Sequence, residues 1–393
     1  GLLLQSMQNA AIKAGYLSYL DNCPYVLRMD ILGFDELGIA ISSIKPKFFV
    51  MKLVSMKFTV TEAGSNYKVE GIPYNHQAFS DAINTTYNDL KIAGDSKGTG
   101  IVEEVLQTNP RTVCGIKIFM GSSTGNMLVD NAQTLEKLFS SCEMLIATHC
   151  EDEPTVRART ALFKEKYPEN APAYIHPLVR NEEACYLSSS KAVSLAKKYR
   201  ARLHVLHIST AKETELFENT LPLEQKLITA EACVHHLWFS DADYAQKGNF
   251  IKWNPAIKSA ADRSGIWEAL LDNRIDVIAT DHAPHTLEEK NNPYTTAPSG
   301  GPLVQHALLA MLEKAKEGQI TLERIVEKMA HAPATLFRIK NRGYIREGYA
   351  ADLVLVSPTS GATVDKSNLL YKCGWSPFEG TTFSHQIHST YVN

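Results

Sequence analysis

A chain of 393 residues, 44% hydrophobic and 21% charged, has the makeup of a globular protein with a large core and room for two or more domains. Its net charge of −3 supplies no basic field, which argues against a nucleic-acid partner, and no apolar run nears the roughly 18 residues of a membrane span. Seven scattered cysteines without a C-x-x-C pair argue against a disulfide framework or a structural zinc cluster and fit a cytoplasmic location, and Gly1-Leu2-Leu3-Leu4 is too short for a secretory signal.

The first hundred residues read as an atypical β-rich segment. Met51–Thr61 is β-prone, and Phe58, Val60, Tyr67 and Val69 alternate around Gly64-Ser65-Asn66, which predicts a hairpin turning there. Phe79–Leu90 has helical character, and no βαβ unit is visible before Ile101.

From about residue 111 strand and helix alternate. Strands are expected at Thr112–Met120, Met144–Cys150, Arg202–Thr210, Lys226–Val234, Phe250–Trp253 and Asp276–Thr280. Between them Leu135, Leu138 and Phe139, then Ala192, Leu195, Ala196 and Tyr199, follow i, i+3, i+4 spacing, as do Leu308, Met311 and Leu312 before a capping Gly318. Alternation of this kind means parallel β with crossover helices. Gly343–Val356 then reads as a turn and an apolar strand. The expected organisation is residues 1–100 in place of the first barrel strands, 101–340 as a β/α (TIM-type) barrel, and 341–393 as part of a small appended β-domain.

Several expected strands end in chemistry. D-V-I-A-T-D-H-A-P-H (276–285) finishes an apolar run in Asp281, His282 and His285, and buried strands do not usually close on such groups. Asp281 at a tip is placed to contact a metal and to take a proton from bound water. Lys117, between Ile116 and Ile118, is either a lysine snorkelling from a strand edge or a desolvated amine able to add carbon dioxide and become an anionic ligand. His149 ends another strand, where a lone histidine is more often a hydrogen-bonded core residue. Period-2 alternation puts His204 and His207 on opposite faces, so His207 is taken as the inward one and His204 as packing beneath a helix. His235 and His236 are expected to point opposite ways and neither is assigned to metal. Asn254 offers an amide that can pair with a planar heterocycle, or simply opens an Asn-Pro turn. Together Lys117, His149, His207 and Asp281 form a metal-hydrolase constellation whose N/O donors suit zinc and do not strongly exclude manganese or cobalt.

These strings carry a resemblance. G-I-K-I-F-M-G-S-S-T-G-N-M (115–127), T-H-C-E (148–151), H-I-S-T (207–210), K-W-N-P (252–255), A-T-D-H-A-P-H (279–285), A-P-S-G-G-P (297–302), G-Y-A-A-D-L-V-L-V (348–356) and G-W-S-P-F-E-G (374–380) resemble the dihydroorotases of the amidohydrolase superfamily, in their long bacterial form, over residues 101–393. The resemblance implies a binuclear zinc site in a β/α barrel beside a β-sandwich. Its ligands would be a carboxylated Lys117, His149, His207 and Asp281, with Asp281 also the catalytic acid–base. Asn254, His285, Ser299 and Gly300 would meet a small-molecule substrate. The implied reaction is the reversible cyclisation of N-carbamoyl-L-aspartate to dihydroorotate in pyrimidine biosynthesis, and relatives often form homo-oligomers.

One departure stands out. In that family the first barrel strand brings an H-x-H pair of ligands and an arginine, whereas the only histidine here before His149 is His76. A site holding one metal rather than two, with reduced activity, is therefore expected. The alternatives are a catalytically silent scaffold subunit and a hydrolase of another cyclic amide, as in hydantoinases and allantoinases. V-E-G-I-P-Y-N-H-Q-A-F-S-D-A-I-N-T (69–85) resembles bacteriophage tail or baseplate structural proteins, which reads as a chimeric N-terminus or a misread one.

Overall fold

The computed structural model describes residues 2–13, 24–29, 33–34, 40–41, 47–61, 64–73, 113–121 and 128–392. The chain divides into two compact units, Gly1–Leu90 and Lys91–Asn393. In the first, a helix spans Leu2–Lys13, followed by strands β1 (Pro24–Met29), β2 (Gly33–Phe34), β3 (Ala40–Ile41), β4 (Lys47–Thr61) and β5 (Gly64–Pro73). They pair as an antiparallel sheet β1-β4-β5 and a short β2-β3 ribbon. The ladder of β4 and β5 runs through Phe58↔Tyr67 to Thr61↔Gly64. Gly64, Ser65 and Asn66 thus belong to the strand rather than to a turn, because the β-branched Thr59-Val60-Thr61 run keeps the ladder paired up to Gly64. The expected helix at 79–90 and most of the 69–85 stretch lie outside the described residues.

The second unit is a TIM-barrel-like parallel α/β fold. Strands β6 (Gly115–Phe119), β7 (Leu145–His149), β8 (Leu203–Val205), β9 (Ile228–Cys233) and β10 (Val277–Ala279) form one sheet in the order β10-β9-β8-β7-β6. Every pair is parallel and sequential. The crossover helices start where the sequence supplies caps. Asn131 accepts from the Thr134 N–H before Ala132–Ser141, Asp152 from Thr155 before Glu153–Lys166, and Ser259 with Asp262 builds a capping box before Ala260–Leu271. Their apolar faces bury Leu135, Leu138 and Phe139, and Ala192, Leu195 and Ala196, against one face of the sheet. Gly318 takes φ +77° just past the helix Ala307–Lys316.

Two expected strands differ. The extended run predicted for Arg202–Thr210 stops at Val205. Phe250–Trp253 is not a strand: a 3-10 turn covers Gly248–Ile251, and the Lys252 N–H closes onto the Asn249 carbonyl at 3.0 Å instead of joining a ladder. Beyond the sheet, β11 (Leu353–Thr363) pairs antiparallel with β12 (Thr382–Tyr391). Ser384 fastens that pair to the helix Ala307–Lys316 by donating its N–H and hydroxyl to Glu313, both at 2.7 Å. No helix among the described residues is long and apolar enough to cross a membrane.

Candidate active site

Strand register decides which side chains share a face. Lys117 lies opposite Ala147, Ala147 opposite His204, His204 opposite Thr229, and Glu231 opposite Val277. Cross-strand neighbours point the same way, so Lys117, His204 and Glu231 occupy one face with His149, two residues beyond Ala147. The other face carries Ile118, Ile146, Leu203, Val205, Ala230 and Ile278 into the helical core.

His204 therefore does not pack beneath a helix on the far side, as alternation had indicated. It shares the Lys117 face, its ring nitrogens bonded to Thr229 Oγ1 at 2.9 Å and Glu231 Oε2 at 3.0 Å. His207 reaches the same side because the strand has ended and its backbone is left-handed, φ 41°. That single residue breaks the period of two.

The outcome is a pair of imidazoles, His149 Nδ1 and His207 Nε2, 3.0 Å apart and both buried. Zinc at about 2.0–2.1 Å from each of two histidine nitrogens separates them by roughly 3.3 Å, so the pair fits one shared metal with little adjustment. The remaining nitrogen of His149 is already used. Glu151 Oε2 accepts from Nε2 at 3.0 Å, which leaves Nδ1 to face His207 and fixes the ring, as carboxylates do behind ligand histidines. Burial alone would raise the Glu151 carboxyl, but the Arg180 guanidinium and His149 outweigh it and hold it at about 2. Burial, then His149, His236 and Lys117, push His207 well below the usual imidazole range, so it stays neutral and free to donate its lone pair.

Asp281 follows two residues after β10, within electrostatic reach of Lys117 and His149. It too has left-handed backbone, φ 44°, a conformation costly for a non-glycine residue. Burial raises its carboxyl, opposed by the nearby charges of Lys117 and His149. Lys117 is exposed, its ammonium 4.6 Å over the Phe119 ring.

The expected substrate contacts gather separately. Asn254 is buried and its Oδ1 has no protein partner. His285 Nε2 donates to the Ser299 carbonyl at 3.1 Å, and Gly300 donates its N–H to the Lys252 carbonyl at 2.8 Å. Gly300 has φ +123°, and a Cβ there would meet the Ala283 carbonyl at 2.6 Å, so only glycine fits. Two buried lysines hold this loop. Lys290 donates to the Pro298 and Gly300 carbonyls at 2.9 and 2.8 Å; Lys252 donates to Tyr294 and Ala297 at 2.7 and 2.6 Å. Burial, with each lysine's nearest cation, lowers Lys290 to about 7 and Lys252 to about 8.

Sequence reasoning passed over these lysines, Glu151, Arg180 and His176, whose Nε2 donates to the Trp253 carbonyl at 2.7 Å. The T-H-C-E string held the clue to Glu151; nothing local marks the lysines. His235 and His236 do not point opposite ways, since the chain turns helical at Val234 and their ring centroids come within 4.1 Å.

A parallel α/β sheet that collects imidazoles and a carboxylate at its strand tips defines a class, the barrel-type hydrolases with donor groups at the C-terminal edge. Within that class the model of the Amidohydrolase family matches residues 116–393, and the chain belongs to that family, whose members are generally metal-dependent. It is 34% identical over 266 residues to a dihydroorotase of Halobacterium salinarum, covering 67% of this chain and 60% of the relative. A dihydroorotase of Pyrococcus abyssi is 32% identical over 265 residues, 67% and 57% of the two chains. Among solved structures, L-hydantoinase from Arthrobacter aurescens superposes with TM-score 0.68 at 26% identity, covering 75% of this chain and 66% of that one. Dihydropyrimidinase from Brevibacillus agri, at TM-score 0.68 and 21% identity over 77% and 67%, supports the fold. The chain spans about 60% of the length of the curated relatives it matches.

Proposed function

We propose that the chain is a dihydroorotase-type cyclic amide hydrolase that opens and closes the dihydroorotate ring. The observation that carries this reading is the facing pair His149 Nδ1 and His207 Nε2, 3.0 Å apart, with Asp281 and Lys117 in the same electrostatic cluster. His149 and His207 would hold a zinc ion, with Asp281 and, once carboxylated, Lys117 as further oxygen donors. A metal bound there lowers the pKa of water and polarises an amide carbonyl. In ring opening, water adds to the ring carbonyl carbon and the ring C–N bond breaks. Asp281 takes the proton from that water and delivers it to the departing nitrogen. Asn254, with its open Oδ1, and the His285–Ser299–Gly300 loop orient the ring. Carboxylation of Lys117 rests on the family resemblance, and bicarbonate-dependent metal uptake tests it. The small-molecule substrate, a single metal in this site, a cytoplasmic location and a homo-oligomeric state belong to the same reading.

The deciding experiment compares dihydroorotate, hydantoin and dihydrouracil as substrates of the metal-analysed protein. Preferential turnover of dihydroorotate with bound metal supports the proposal. Preference for hydantoin, whose enzyme is the L-hydantoinase neighbour, replaces the substrate; no turnover with metal bound favours a silent scaffold.

A further inference from the structure

We infer that Cys233, His235 and His236 form a second metal site, for a zinc-class divalent cation, that shares no residue with the His149–His207 pair. Their donor atoms, one from each residue, all lie within 4.8 Å of one another, and all three residues are buried. Zinc with ligands at about 2.0–2.3 Å draws such atoms to roughly 3.3–3.7 Å, so the triad needs to contract by about an ångström.

The nitrogens are prepared for it. His236 donates its Nε2–H to the Pro255 carbonyl at 3.1 Å, which fixes the tautomer and leaves Nδ1 as a lone pair with no partner. Neither ring nitrogen of His235 meets a partner at full hydrogen-bonding geometry, although the Thr280 backbone acts on the ring as an acceptor, and the ring stacks on Trp253 with centroids 4.4 Å apart and planes 11° from parallel. Buried imidazole nitrogens without partners are costly, and a cation is the ligand that satisfies lone pairs. The thiol is the last donor: forming the metal–sulfur bond releases its proton to solvent. Three protein donors leave a fourth position for water or another group.

The location gives the site a consequence. Cys233 ends β9, while His235 and His236 grip Trp253 and Pro255 on either side of Asn254. A bound cation ties the strand tip to the turn that carries Asn254. This inference does not depend on the proposed reaction.

Titration of the intact, reduced protein with cobalt(II) tests it, because only a thiolate ligand gives an intense near-ultraviolet sulfur-to-cobalt charge-transfer band. The band is expected in the intact protein, retained in His149→Ala and in Cys150→Ser, and lost in Cys233→Ser. Absence of the band at saturating cobalt overturns the site, as does a band that survives Cys233→Ser. Should Cys233→Ser fail to fold, zinc-edge X-ray absorption of the intact protein decides: a sulfur scatterer at about 2.3 Å supports the site, and a shell of nitrogen and oxygen alone contradicts it.

Discussion

Two regions of the second unit differ in how far the protein itself satisfies them. At the tips of β7, β8 and β10, two buried imidazole nitrogens face each other at 3.0 Å, two residues hold left-handed backbone, and His207 Nδ1 has no partner. Around Asn254 and from His285 to Gly301 the backbone is tied by lysine-to-carbonyl bonds, a histidine-to-carbonyl bond and a glycine that no other residue replaces, while Asn254 Oδ1 and Trp253 Nε1 stay unpartnered. In the first region the chemistry-bearing residues themselves hold the strained backbone; in the second the protein fixes the backbone and leaves single polar atoms open. Pre-built recognition beside strained, incompletely paired chemistry is what a site gains when binding must orient a substrate before charge develops.

The largest test falls on the first region. Asp281→Asn is expected to reduce dihydroorotate turnover by roughly 10²- to 10⁴-fold, with metal content by mass spectrometry nearly unchanged. Loss of folding instead would make Asp281 structural and dissolve the contrast. Next is Glu151→Gln, which removes the carboxylate behind His149 and should weaken metal affinity by about 10- to 100-fold, read by competition with a chromogenic chelator. The same carboxylate sets an acid limit. It holds at about 2 when folded against an ordinary carboxylate value of 4.5, so between those values the unfolded chain binds more protons. Its stabilisation is complete above pH 4.5 and is lost as pH falls towards 2; denaturant melts should show that slope flattened in Glu151→Gln.

Gly300→Ala probes the second region. A Cβ against the Ala283 carbonyl in a conformation alanine resists should cost about 1–3 kcal/mol locally. KM should rise while metal content holds, and an unchanged KM would remove this loop from substrate binding. Lys290 gives the smallest effect. Its amine titrates at about 7 when folded, well below the ordinary lysine value of 10.5, so stability rises with pH across that interval as the unfolded chain keeps its proton longer. Lys290→Met should flatten that rise in thermal melts, and an unaltered profile would show the amine to be ordinary.

The sequence made the parallel architecture legible because helix and strand periods are written in residues such as Leu135, Leu138 and Ile146. His149, His207 and Asp281 stand out as candidates because polar groups closing apolar runs are rare, and Lys117 because it lies between two isoleucines. What stayed hidden depends on backbone that leaves its period. His207 at φ 41° and the helix starting at Val234 moved three histidines from the faces that alternation assigns. Lys252 and Lys290 stayed hidden for another reason: their partners are carbonyls, which every residue has. Phe250–Trp253 misled because an aromatic-rich run serves a stacked turn as well as a strand.

A metal-dependent ring hydrolase built on the His149–His207 pair and Asp281 must lose its turnover with its metal. Dihydroorotate ring opening by the purified chain is followed before chelation, after chelation and after zinc is restored. Turnover is expected to vanish with the metal and to return with it. Turnover that persists in the metal-free protein, or none in protein shown to carry metal at His149 and His207, would contradict this assignment.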